Sequence, residues 1–234
     1  ATIPLHSPRR PFYQKAPPAL MAGNGVIVKP STDTPLPLCM LTELLGQAGV
    51  TPGAASIVTG RGSSVGHELC SNKDVHLITL TGSTEVGIET AKVAAENLVH
   101  VALELGGNDA FIVLEDADVD LATDELLWGR MYNTGQVCCA SKRFLVHKSR
   151  VEEFTKKAIE KISAIKVGMP ADEDTRLGCL ISEKAAKTVE EQVSLTVAQG
   201  GEIVLGGKRN GAFYEPTVIA NVPKSSDVAK DMEI

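Results

Sequence analysis

The first half of the chain alternates short apolar runs with segments of helical periodicity. Four runs predict buried strands: residues 25–29, 55–58, 76–80 and 98–105. Three segments predict helices: residues 35–49, 64–71 and about 84–97. Gly49 is a plausible stop for the first of these helices, and Ser83 or Thr84 is the expected N-cap of the last. Because strands and helices alternate with short connections, the pattern predicts an α/β fold with a parallel, doubly wound sheet.

A second region with a similar mixture of elements begins near Gly107. Its predicted strands and extended segments are residues 111–114, 144–146, 203–205 and 214–219. Its predicted helices are residues 116–132, 150–163 and 182–199. Residues 1–18 are rich in proline, which predicts irregular structure. The chain has no internal repeat and no low-complexity linker between the two regions.

Composition and charge narrow the class of protein. The 234 residues are 43% hydrophobic and 22% charged, which is ordinary for a globular protein with a real core. The net charge of −6, without a long basic run, argues against nucleic acid as a partner. No apolar run approaches the roughly 20 residues that cross a bilayer, so no membrane partner is expected. The five cysteines are odd in number and irregularly spaced, which favours reduced thiols and a cytoplasmic location.

Two of these cysteines, Cys138 and Cys139, are adjacent in a stretch of small residues. Adjacency argues against a zinc knuckle, whose ligands are separated by a gap, and a disulfide between neighbours would be strained. A thiolate is a strong nucleophile, and small residues let a reactant approach the backbone closely. Two interpretations remain at this point: a buried structural pair and a catalytic nucleophile.

Two glycine-containing segments at predicted strand-to-helix junctions are candidates for binding a nucleotide. Gly60-Arg61-Gly62, with Gly66 as the next glycine, misses the GxGxxG pattern by one position. Gly82-Ser83 is better placed, because free backbone N–H groups and the dipole of the following helix favour a pyrophosphate. An ordinary capped turn explains Gly82-Ser83 equally well.

Residues 62–66 also match GxSxG, the nucleophile elbow of serine hydrolases. This alternative makes Ser64 the nucleophile, and it requires an acidic residue and then a histidine downstream. His67, His76 and His100 come early for that order.

Glu104 ends the predicted strand 98–105, just before a pair of glycines. Parallel sheets bind ligands beyond the carboxyl ends of their strands, and a half-buried carboxylate there is suited to act as a general base. A glutamate that points into water is the alternative. The histidines show no metal-ligand spacing, so no metal is expected.

Four segments together resemble the aldehyde dehydrogenase superfamily. They are residues 19–31 (family ALAAGNxVVxKPS), 80–87 (FTGSTEVG), 103–108 (LELGGK, with Asn108 for lysine) and 133–143 (NxGQxCxAxxR). The resemblance favours a catalytic role for the cysteine pair. It implies a Rossmann-type parallel sheet in residues 1–106, the NAD(P)-binding domain, followed by an α/β catalytic domain in residues 107–234. Both domains are expected to be partial.

The resemblance implies oxidation of an aldehyde, such as a semialdehyde, to a carboxylic acid with NAD or NADP. Cys138 would add to the aldehyde, loss of hydride would leave a thioester, and Glu104 would activate the water that hydrolyses it. The residues implied in cofactor binding are Lys29, Gly62, Gly82, Ser83, Leu105 and Glu233. A dimer or tetramer of the complete protein is also implied. Two alternatives remain: a non-catalytic homologue that keeps only nucleotide binding, and a relative that transfers the acyl group to coenzyme A. Glu104 argues against the second, because such relatives usually lack this glutamate.

Two substitutions depart from the family pattern. His6 takes the place of an asparagine that shares the oxyanion hole with the N–H of the nucleophile, so we expect an altered oxyanion hole. Thr32 takes the place of a glutamate that binds the ribose 2′-hydroxyl in NAD-preferring members. A neutral residue there does not repel a 2′-phosphate, so we expect NADP to be tolerated beside NAD.

Overall fold

The computed structural model describes residues 1–4 and 8–230. The chain forms two compact units, Ala1–Gly106 and Gly107–Ile234. None of the helices among the described residues has the length and apolar character needed to cross a membrane.

The first unit contains a set of parallel strands. They are β1 (Val26–Val28), β2 (Ala55–Ile57), β3 (Leu77–Thr81) and β4 (His100–Glu104). β1 pairs with β2, and β3 pairs with β4, both in parallel. Thr2 forms parallel bridges to both Lys29 and Leu80, so the N-terminal segment lies between β1 and β3 and joins the two pairs. The predicted α/β class and its parallel strands are confirmed, although the part played by residues 1–3 was not predicted.

Four helices accompany these strands: α1 (Arg9–Met21), α2 (Leu36–Gln47), α3 (His67–Ser71) and α4 (Thr84–Ala95). A π-helical turn, Gly62–Gly66, precedes α3 and occupies the start of the helix predicted over 64–71. The predicted cap of α4 is confirmed, because Ser83 Oγ accepts a hydrogen bond from Val86 N at 3.4 Å. This cap places the N-terminus of α4 directly beyond the carboxyl end of β3.

The prediction of irregular structure over residues 1–18 is wrong for α1. Pro11 lies in the first turn, where a backbone N–H has no partner within the helix. Pro17 and Pro18 lie inside the helix and cost it stability. Burial offsets this cost, since Phe12 and Ala16 are 1% and 0% exposed in the core of the unit.

The second unit is also mixed. Its helices are α5 (Val119–Met131), α6 (Val151–Ser163), α7 (Glu183–Ala198) and the short α8 (Asp227–Lys230), which was not predicted. Its strands are β5 (Asp109–Val113), β6 (Ser141–Val146), β7 (Glu202–Leu205), β8 (Arg209–Asn210), β9 (Phe213–Tyr214) and β10 (Val218–Ala220). β5 and β6 pair in parallel, whereas β7 pairs with β10 and β8 with β9 in antiparallel fashion. α5 and α6 supply the core beside β5, where Val113, Leu126 and Phe154 are each at most 4% exposed.

In the turn after β7, the backbone of Gly206 lies close to that of Pro216, which gives a testable prediction for stability. Gly206 has φ +71°, and a Cβ there would overlap the carbonyl oxygen of Pro216. Gly211 has a similar φ of +61°, but a Cβ added to it would have no atom within 4 Å. We expect Gly206→Ala to lower the free energy of unfolding by about 3 kcal/mol or more, against about 1 kcal/mol for Gly211→Ala. Urea unfolding followed by circular dichroism measures both, and equal losses would contradict the predicted clash.

Candidate active site

The two adjacent cysteines occupy the corners of a tight turn, which we call the cysteine turn (residues 137–140). Ala140 N donates to Val137 O at 3.1 Å and closes it. The flanking side chains are anchored in the core, with Val137 7% and Ala140 0% exposed. Cys138 is partly exposed, Cys139 is exposed, and both thiols are free. Because the first and last residues of the turn are buried and the two cysteines between them are accessible, the turn is suited to present a thiol to a ligand.

The backbone before the cysteine turn is left-handed over three successive residues. Asn133, Thr134 and Gly135 have φ values of 51°, 60° and 73°. This conformation costs roughly 1–2 kcal/mol for each residue that carries a Cβ. Arg130, at the end of α5, donates from its guanidinium to Gly135 O at 3.3 Å, and burial lowers the pKa of this arginine. The hydrogen bond from Arg130 to this segment was not predicted, because no sequence pattern indicates a left-handed turn of this kind.

Gln136 connects this left-handed segment to a distant part of the same unit. Its Nε2 donates to Asn133 O at 3.1 Å, and its Oε1 accepts from Ile181 N at 2.8 Å. The side-chain amide of Gln136 therefore ties the backbone that precedes Cys138 to two other segments of the chain. This explains why a glutamine, with both a donor and an acceptor, suits the position.

Asn108, where the family pattern has lysine, forms a hydrogen bond to the backbone of α8. Its Nδ2 donates to Val228 O at 2.9 Å. Arg143, the last residue of the cysteine motif, donates from Nε to Asn108 O at 2.9 Å and from its guanidinium to Ala229 O at 3.4 Å. The two motifs thus meet at carbonyl groups of α8, shortly before Glu233 in the sequence.

Glu104 lies at the carboxyl end of β4, as predicted, and its side chain has the exposed placement that was the second of the two alternatives. Its side chain is exposed, and among the described residues β4 pairs with β3 alone. Its carbonyl accepts from Gly82 N at 3.1 Å, so the Glu104 backbone is tied to the turn before α4.

Lys15, on α1, is a cation within electrostatic range of Glu104 in the first unit. Its Nζ donates to Thr81 Oγ1 at 2.7 Å and to Thr2 O at 3.3 Å. Burial lowers the pKa of Lys15 to about 8, and the negative charge of Glu104 opposes this shift. A cation within electrostatic range of this carboxylate was not predicted.

Lys29 and the start of α4 have the properties of a dinucleotide site. Lys29 follows β1 and is only 5% exposed, and burial lowers its pKa. Its Nζ donates to Pro30 O at 3.1 Å, and an ammonium has two further hydrogens to offer to ligand hydroxyl groups. The capped N-terminus of α4 adds a positive dipole end for a phosphate. These donors fit NAD or NADP.

Three further residues expected to bind cofactor lie in the same unit. Gly62 is exposed in the π-helical turn, and Thr32 is exposed in the turn after Lys29. Leu105 packs against α4, where a Cβ on Gly87 would come within 2.6 Å of its Cδ2. Gly87 therefore lets α4 approach Leu105 closely. His6 and Glu233 lie outside the described residues, so their predicted roles stay predictions.

The serine-hydrolase alternative finds no support in the geometry. Ser64 lies inside the π-helical turn, and among the described residues it is not one of those with positive φ. Its hydroxyl donates to Arg61 O at 3.4 Å. No group of three or more metal-ligating side chains is present in residues 1–4 and 8–230.

Comparisons with known proteins agree with the motifs. The family model described as "Aldehyde dehydrogenase family" matches residues 3–233. The chain is 39% identical to the D-glyceraldehyde dehydrogenase (NADP(+)) of Picrophilus torridus over 99% of its own length and 48% of that protein. It is 38% identical to the succinate-semialdehyde dehydrogenase [NADP(+)] GabD of Escherichia coli, again over 99% of this chain and 48% of the relative. The chain therefore spans about half the length of the curated relatives it matches.

A solved structure of an aldehyde dehydrogenase is also similar to this chain, both in sequence and in fold. The betaine aldehyde dehydrogenase of Staphylococcus aureus in complex with NAD+ superimposes with a TM-score of 0.96 and 36% identity, over 99% of this chain and 47% of that one. The cysteine turn, the Glu104 strand end and the capped helix α4 thus occur in a fold that matches throughout the chain. On the family model and these relatives, the chain belongs to the aldehyde dehydrogenase family.

Proposed function

We propose that the protein oxidises an aldehyde to a carboxylic acid with NAD or NADP. The observation that carries this proposal is the cysteine turn, which presents Cys138 between two buried flanking residues. The Cys138 thiolate adds to the aldehyde carbon and forms a thiohemiacetal. When bound, the nicotinamide supplies the acceptor for the hydride. Water attacks the thioester that remains on Cys138, and Glu104 accepts a proton from that water. The C–S bond breaks, the carboxylic acid is released, and the Cys138 side chain is regenerated.

All the proposed cofactor residues except Glu233 lie in the first unit. Lys29 would donate to ribose hydroxyl groups, and Gly82 and Ser83 would meet the pyrophosphate at the start of α4. Gly62 and Leu105 would line the nucleotide, and Glu233 would hold the nicotinamide ribose. The buried ammonium of Lys29, with hydrogen-bond donors to spare, supports this assignment most directly.

A small aliphatic aldehyde or semialdehyde is the proposed class of substrate. The names of the E. coli and Picrophilus relatives, with succinate semialdehyde and D-glyceraldehyde as substrates, support it. A cytoplasmic location is proposed from the five free cysteines, and a dimer or tetramer from the family resemblance.

A panel of aldehydes tests the proposed activity. The complete gene product would be mixed with NAD+ or NADP+ and with succinate semialdehyde, glutarate semialdehyde, glyceraldehyde or propanal. We expect formation of reduced cofactor with at least one of these aldehydes, and one equivalent of carboxylic acid for each reduced cofactor. Cofactor binding without acid formation from any aldehyde would favour the non-catalytic alternative.

Thr32 is expected to influence the ratio of kcat/KM with NADP to kcat/KM with NAD. With a neutral residue at this exposed position, we expect any preference for NAD in kcat/KM to stay below roughly a thousandfold, about 4 kcal/mol. Thr32→Glu should lower kcat/KM for NADP by about a hundredfold through repulsion of the 2′-phosphate, with little change for NAD. Thr51→Glu adds the same charge at another exposed position of the unit and serves as the control. A similar loss for both cofactors, or in both variants, would refute the assignment.

A further inference from the structure

Lys142, the second residue of β6, reaches back to the cysteine turn. Its Nζ donates to Cys138 O at 3.1 Å and to Ala140 O at 3.0 Å. The two acceptors belong to a corner of the turn and to its last residue. One ammonium therefore joins two carbonyl groups on either side of Cys139.

These bonds fix a part of the turn that its own closing bond leaves free. The bond from Ala140 N to Val137 O sets the overall closure, but it does not involve the peptide that follows Cys138. Lys142 holds the carbonyl of that peptide. The same oxygen also lies near Gly107, since a Cβ added to this glycine would be 3.7 Å from it. The hydrogen bond from Lys142 thus constrains the orientation of the peptide that follows Cys138.

The ammonium is held in a partly buried environment of mixed charge. Burial lowers the pKa of Lys142, as does the positive charge of Arg130. Asp109 and the two cysteines oppose this shift, which indicates that the ammonium lies within electrostatic range of both thiols. A partly buried cation that bonds two backbone carbonyls is costly to leave unpaired, so it favours a single arrangement of the turn.

We propose that Lys142 is a positioning residue, which holds the cysteine turn in the arrangement that presents Cys138 to the aldehyde. This inference rests on the proposed role of Cys138 as nucleophile. Lys142 itself is assigned no contact with substrate or cofactor. Its effect is on the geometry of attack, where a displacement of about 1 Å is enough to cost roughly a hundredfold in rate.

The experiment compares Lys142→Met, which removes the ammonium but keeps the chain length, with Lys142→Arg, which keeps charge and donors. Lys148→Met, at an exposed position beyond β6, is the matched control. Alkylation by iodoacetamide is followed separately at Cys138 and Cys139 by peptide mass spectrometry, and kcat and KM are measured on the complete gene product. We expect Lys142→Met to lower both kcat and the Cys138 alkylation rate by about tenfold or more. The KM values and the Cys139 rate should change by less than about threefold, and Lys142→Arg should recover most of the loss.

A Cys138 alkylation rate that stays within about twofold of wild type in Lys142→Met would overturn the proposal. So would equal changes at both cysteines together with a lower melting temperature, since that pattern indicates a structural role alone. If Lys142→Met does not fold, Lys142→Gln takes its place, because it keeps an N–H donor on a shorter side chain. Failure of the wild-type protein to oxidise any aldehyde would contradict the proposed function, whereas the alkylation rates would still decide the role of Lys142.

Discussion

Replacing Cys138 with alanine is expected to lower kcat for aldehyde oxidation by roughly 10⁴-fold or more, the scale of loss that follows removal of a nucleophile from an enzyme. Without the thiol there is no thiohemiacetal, and the aldehyde carbon keeps its hydride. Cofactor affinity should be retained, because all the proposed cofactor residues except Glu233 lie in Ala1–Gly106, outside the unit that holds the cysteine turn. Initial rates and direct cofactor binding on the same preparation separate the two effects.

Cys139→Ala is the control for this variant. Cys139 occupies the other corner of the same turn and is exposed, so its replacement changes the local volume by a similar amount. We expect a loss of less than about tenfold, since a role in positioning is smaller than a role in bond formation. Comparable losses from the two replacements, or substantial activity in Cys138→Ala, would show that the nucleophile has been assigned to the wrong residue.

Replacing Glu104 with glutamine should separate the two halves of the reaction. The proposed base acts only in hydrolysis, so the first hydride transfer should proceed and the thioester should then persist. Rapid mixing is expected to show a burst of about one reduced cofactor per active site, followed by steady turnover lower by about 10²–10³-fold. Glu96→Gln, an exposed position just after α4, should behave as wild type. Loss of the burst itself would assign Glu104 to an earlier step.

The pattern of the sequence was sufficient for β1 to β7 and for α2 to α7. Apolar runs at β1 to β4 and leucine spacing over α2 carry their own periodicity, and Ser83 is a strong capping residue. α1 was missed because its prolines argue against a helix, and only the burial of Phe12 and Ala16 outweighs them. The pairing of Thr2 with two strands was missed because three extended residues have too little pattern to read.

The candidate site was predicted less completely than the fold. Motif residues such as Cys138, Glu104 and Lys29 could be named, because their roles are implied by short segments. The contacts of Arg130, Lys142 and Lys15 could not, since each depends on where a long side chain ends after the backbone has folded. Exposure of Glu104 also depends on which segments cover its face of the sheet, and periodicity along one strand does not contain that information.

Covalent catalysis by Cys138 is best tested by trapping its acyl intermediate. Glu104→Gln protein would be mixed with cofactor and isotope-labelled succinate semialdehyde, quenched in acid during the burst, digested and analysed by mass spectrometry. We expect a labelled acyl group on Cys138, in an amount that matches the reduced cofactor formed. A label on Cys139 alone, or reduced cofactor formed without any labelled cysteine, would contradict the assignment.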